Sequence, residues 1–156
     1  MISQILTILG VLIGALTSYL STSAAERARH RRTLATRWDE RKLDTYIEYA
    51  TCVKEIADLA KRAYQAPDGS DDREQFLSAM NKAEQKRSAL FEALILLASP
   101  AATDAATAVN PVVWRVLGAA RRKESDPREI SLVEELNNYH RQARLDLGIS
   151  IDHQVP

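Results

Sequence analysis

Between Gly14 and Pro67 the chain contains neither glycine nor proline. Those two residues break helices most strongly, so nothing in the interval forces a helix to stop. The interval starts inside an uncharged run: the first charged side chain is Glu26, and Ile5 to Leu16 is almost wholly apolar. A long helix that begins apolar and then turns basic is therefore the element around which the rest of the chain has to be arranged.

A spanning helix needs about 20 residues to cross roughly 30 Å of hydrocarbon, and Met1 to Leu20 meets that length. Three readings fit the run: an uncleaved anchor, a signal peptide, or the most apolar helix of a core. A signal peptide carries Lys or Arg ahead of its apolar stretch, and here no such residue precedes it. The cations follow instead, with Arg27, Arg29, Arg31, Arg32, Arg37, Arg41 and Lys42 set against Glu26, Asp39 and Glu40. Positive charge beside an apolar helix stays on the cytoplasmic side.

The expected organisation is thus all-α. An N-terminal transmembrane helix over residues 1–22 continues through a basic juxtamembrane stalk (23–37) into a long helix. An antiparallel four-helix-bundle-like domain (38–148) and a tail (149–156) follow. The location this predicts is the inner (cytoplasmic) membrane, single pass, with the C-terminal domain cytoplasmic. The small residues Ser21-Thr22-Ser23-Ala24-Ala25 keep the alternative open, a secreted or envelope helical protein cleaved near Ala25.

The apolar run has two faces. Ser3, Thr7, Gly10, Gly14, Thr17 and Ser21 alternate in steps of four and three, with Ile2, Leu6, Leu9, Ile13, Leu16 and Leu20 one position earlier. A stripe of small residues lets two backbones approach closely in a membrane, which makes the first set a candidate association face for a second copy or another protein. Arg27, Arg29, Arg31 and Arg32 lie where anionic lipid headgroups would be, each worth about 1 kcal/mol near such a surface. Setting topology alone would also account for them.

Past the stalk, Leu43, Tyr46, Ala50, Val53, Ala57, Ala60 and Tyr64 repeat at helical spacing, widened by Ile47 and Ile56. That width suits a bundle helix. Pro67-Asp68-Gly69-Ser70 is a turn. Asp71 with Glu74 opens a second helix, whose buried face is Phe76, Met80, Ala83, Leu90, Leu94 and Leu97. Ser99-Pro100 reads as a cap with proline in the first turn of a third helix. Asn110-Pro111 predicts that this helix is kinked or split. Asp126-Pro127 with Glu129 reads as the opening of a fourth helix, carrying Val133, Leu136, His140, Ala143 and Leu147 until Gly148 stops it. The bundle helices should run about 22–28 residues, roughly 33–42 Å at 1.5 Å per residue.

Chemistry is sparse. The chain has no P-loop, no GxGxxG after a strand, no HExxH and no paired CxxC. The histidines at 30, 140 and 153 are scattered, and His140 reads as a structural histidine on an apolar stripe. Cys52 is the single cysteine and reads as a small core residue. Lys+Arg and Asp+Glu both total 21, and the basic stretch lacks interleaved aromatics before Trp38, so nucleic acid is not an expected partner. Neither catalytic residues nor a cofactor are expected, which points to a non-enzymatic protein.

Leu96-Leu97-Ala98-Ser99-Pro100 followed by an alanine-rich helix, and Arg141-Gln142-Ala143-Arg144-Leu145-Asp146-Leu147-Gly148, resemble a loose group of actinobacterial and prophage-type single-span membrane proteins with a cytoplasmic helical domain. The resemblance implies an interaction or tethering role, in prophage-type defence or as an accessory subunit of a membrane complex. It transfers no activity, cofactor or site residue. Asn110-Pro111 departs from the uninterrupted third helix the group implies.

Replacing Gly10 and Gly14 with Ile should weaken self-association measured by crosslinking in bilayers; an unchanged oligomer would remove the small-residue stripe from consideration.

Overall fold

The computed structural model describes residues 38–149, and every regular element in that span is helical. Helix α1 occupies 38–65, α2 Asp71–Leu97, α3 Pro100–Arg122 and α4 Val133–Asp146, with a single 3-10 turn at Pro127–Glu129. The bundle lies in a compact unit that begins at Arg41. Among these residues no helix is long and apolar enough to cross a membrane. The expected anchor (1–22), the stalk (23–37) and most of the tail lie outside the described residues.

Local chemistry sets most of the boundaries. Gly69 takes the left-handed backbone conformation (φ 71°) that the turn after α1 requires. Ser70 Oγ then accepts from the Arg73 N–H at 3.3 Å and caps α2. Ser99 Oγ accepts from the Ala102 N–H at 3.4 Å, with Pro100 in the first turn, and α3 begins there as expected. At the end of α4, Gly148 (φ 69°) turns the chain so that the Ile149 N–H reaches the Arg144 carbonyl at 2.9 Å.

Cross-helix contacts give the topology. Lys42 on α1, Ser99 before α3 and Asp146 at the end of α4 meet at one end. Ala63 on α1, Arg73 at the start of α2 and Ala120 on α3 meet at the other. The four helices therefore run up, down, up and down, the arrangement short connections favour. The core is built on Tyr49, Val53, Ile56, Met80, Leu94, Val109, Val113 and Val116. Helix α3 is buried on more than one side through Ala102, Ala105, Ala106, Ala119 and Ala120, and these small side chains let its neighbours approach its backbone.

One expectation is narrowed here and one changes. Of the two alternatives at Pro111, kinked or split, the split is excluded, because α3 runs as one helix through it. The missing proline N–H frees the Thr107 carbonyl, but Thr107 and Pro111 are both exposed, so water can serve it. Helix α4 has 14 residues, well short of the expected length. Asp126 does cap the Arg128 N–H at 2.9 Å, but the result is one 3-10 turn, after which Ile130 leaves helical geometry (ψ 104°). The chain turns there to pack Pro127, Ile130 and Leu132 against the core, and α4 starts only at Val133.

The end opposite Asp146 is closed by polar bonds. The Arg73 guanidinium donates to the carbonyls of Ala63 (2.6 Å), Ala120 and Arg121 (both 3.2 Å), thereby serving the C-termini of two helices at once. Lys123, in a left-handed conformation (φ 54°), donates to the Ala66 carbonyl at 2.8 Å and pairs with Asp68 at 2.9 Å. Arg73→Ala should lower the unfolding free energy by about 1–3 kcal/mol, because these carbonyls lose a charged donor. Arg62→Ala, which breaks only an exposed pair with Asp58, should change it by less than about 1 kcal/mol. Urea unfolding of the two variants makes the comparison.

Candidate functional site

Three buried tyrosines form the centre of the α1–α4 side. Tyr46 and Tyr49 stand on one face of α1, and Tyr139 enters between them from α4, with ring centroids 5.8 Å and 5.1 Å away. Each hydroxyl finds a partner, as buried phenols require. Tyr139 donates to the Tyr46 carbonyl at 3.0 Å. Tyr49 lies 3.1 Å from both the Ala106 carbonyl and Asn110 Oδ1. Tyr46 donates to Asp146 Oδ2 at 2.5 Å.

Asp146 collects two further donors on the same oxygen, Lys42 Nζ at 3.1 Å and the Ser99 N–H at 3.2 Å. Burial alone would raise its pKa; the hydrogen bonds from Tyr46, Lys42 and Ser99 outweigh that and hold the carboxyl below its ordinary value. Tyr46 is pushed above the usual phenol range, by burial first and then by the adjacent carboxylate. Burial does the same to Tyr139.

A second polar group crosses the middle of the bundle. Arg87 on α2 is only 3% exposed. It pairs with Glu84 at 2.6 and 2.7 Å and donates to Asn110 Oδ1 on α3. The Glu84 carboxylate beside it holds the guanidinium above its ordinary pKa despite burial. Among the described residues every buried side-chain polar atom has a partner.

Beside the tyrosines, an open groove of about 360 Å³ runs between α1 and α4. Its floor is Tyr46, Ala50, Tyr139 and Ala143, and the two alanines give it depth. Leu43, Ile47, Leu147 and Ile149 form the apolar walls, with Ile47 56% exposed. The charged or titratable side chains that line it, apart from the floor phenols, are Lys54, His140 and Arg144. His140 is half-buried, and burial followed by the nearby Lys54 charge lowers its pKa. A wider depression of about 860 Å³ near the start of α4 is lined by Glu134, Glu135, Asn138 and Arg141, mixed in sign and mostly exposed. The first groove is the better candidate site, because apolar walls with a few polar groups of one sign are what ligand sites present.

The sequence-based candidates fall elsewhere. Ser3, Thr7, Gly10, Gly14, Thr17 and Ser21, and likewise Arg27, Arg29, Arg31 and Arg32, lie outside the described residues. Cys52 is buried in the bundle, and burial raises its thiol pKa. Among the described residues no cluster of three or more His, Cys, Asp or Glu side chains is placed to hold a metal ion. Sequence reasoning does not single out the groove. Its one signal is the width of the α1 stripe, where Leu43 and Ile47 extend the apolar face beyond what the bundle covers.

No protein-family model matches the chain, and neither the curated proteins nor the solved structures contain a match.

The folded pKa of Asp146 lies below the unfolded aspartate value of about 3.9, so its contribution is complete above that value and fades as pH falls through the folded pKa. Asp146→Asn should therefore be less stable than the parent at neutral pH, with the gap closing below about pH 4. Urea midpoints across an acid pH series test this.

Proposed function

We propose that the chain is a non-enzymatic, membrane-anchored helical protein that tethers its bundle at the cytoplasmic face of an inner membrane. The supporting observation is the order of the N-terminal sequence: an uncharged apolar run as long as a bilayer is thick, then arginines at 27, 29, 31 and 32. In this reading the anchor fixes location, the arginines contact anionic headgroups, and the stripe through Gly10 and Gly14 pairs with a second copy or another membrane protein. The bundle supplies a body stiffened by ties between its helices. Its partner is another protein, in a setting of prophage-type defence or an accessory role in a membrane complex, as the resemblance implies.

A second reading follows from Ser21-Thr22-Ser23-Ala24-Ala25, whose small residues suit signal cleavage. It gives a secreted or envelope helical protein starting near Glu26. Carbonate extraction of membranes combined with intact mass decides between them. The tether predicts a full-length chain that stays with the membrane pellet. A mature chain beginning near Glu26 and released into the soluble fraction would replace it with the secreted reading.

A further inference from the structure

The α1–α4 groove has a polarity gradient along its length. Leu43 and Lys54 are 11 residues apart on α1, which is about 16 Å at 1.5 Å per residue. The Leu43 end is walled by Ile47, Leu147 and Ile149, and the other end carries Lys54 with His140 close enough to feel its charge. Arg144 lies one turn of α4 from His140, toward the apolar end. No carboxylate lines the groove, and neither Lys54 nor Arg144 forms an ion pair among the described residues.

We propose that this groove binds a single-chain amphiphile with an anionic head, a long-chain carboxylate, with the head at Lys54 and His140 and the chain running toward Leu43 and Ile149. The size suits a small molecule, since about 360 Å³ falls in the range of roughly 300–1,000 Å³ typical of small-molecule sites. The charge is complementary to a carboxylate, since the rim offers cations and no anion. The walls supply the rest, because each buried methylene contributes about 0.8 kcal/mol. The groove lies entirely within the unit that begins at Arg41, so the inference stands apart from the tether reading.

The test is dodecanoate titrated onto the full chain as purified, in nanodiscs of zwitterionic lipid if it stays with the membrane and in buffer if it does not. The uptake of protein-free nanodiscs is subtracted, and binding is followed by calorimetry and by the His140 ring resonances. Saturable binding is expected, with the His140 pKa moving up as a carboxylate arrives beside it. Dodecanol, with the same chain and no charge, should bind at least tenfold more weakly. Ile47→Glu and Lys54→Gln should each weaken dodecanoate binding at least tenfold. Both positions are exposed, so the variants should melt like the parent, and Lys54→Gln adds no new charge to the fold. Non-saturable uptake, equal affinity for alcohol and carboxylate, equal affinity in parent and variants, or a stationary His140 would each overturn the proposal.

Discussion

One carboxylate oxygen holds three parts of the chain in register. Asp146 sits in the last turn of α4, where the macrodipole disfavours a negative charge. It is also partly buried, which adds a desolvation cost. What makes the position tenable is that it lies against the start of α3, whose Ser99 N–H it accepts, and beside Lys42 and Tyr46 of α1. The unfavourable end of one helix is thereby set against the favourable end of another. Moving α4 by one turn would leave all three donors unmet, so this contact fixes where α4 stops against the bundle. It also fixes the Tyr46 ring, which is part of the floor of the groove.

The middle of the bundle follows a different rule. Arg87, Glu84, Asn110 and Tyr49 place polar atoms where aliphatic side chains would pack more simply, and replacing buried ionic groups by apolar ones is often neutral or stabilising. The arrangement does define a register: Asn110 on α3 can meet Arg87 on α2 and Tyr49 on α1 in only one alignment. It also occupies the position just before Pro111, the point at which α3 loses a backbone bond. The polar crossing therefore ties α3 to two neighbours at its weakest backbone position.

The sequence carries the helices clearly because their signals are local. Ser99-Pro100 and Gly148 are read correctly, and the apolar positions of the third helix, Val109, Val112, Val113, Val116 and Leu117, recur at helical spacing and are all buried. What it hides depends on distance in space. Tyr49 and Tyr139 are absent from the apolar stripes, yet both are fully buried, because each hydroxyl meets a partner on another helix. Arg87 reads as a surface cation until Asn110 appears 23 positions later in the chain. Asp126-Pro127 has the local form of a helix start, and tertiary packing of Ile130 and Leu132 overrides it. The groove is illegible for the same reason: Ala50 and Ala143 are unremarkable alone, and become a floor only where α1 and α4 face each other.

The two ends of the bundle differ in how they are closed. At the end of Arg73 and Lys123, charged side chains meet the helix-terminal carbonyls, and Val133 at the start of α4 is the exposed large aliphatic side chain there. At the Asp146 end, Leu43, Ile47, Ile95, Leu145 and Ile149 are exposed, and Leu96 is 85% exposed beside the turn into α3. No charged residue occurs from Ala93 to Thr103 around that turn. Fully burying a Leu or Ile side chain is worth about 1.5–3 kcal/mol, so these partly open side chains leave part of that stabilisation unused. Single exposed apolar residues need no explanation, but their concentration at one end does. The two ends are thus closed differently, one by charged donors on helix-terminal carbonyls and the other by the Asp146 contact among open apolar side chains.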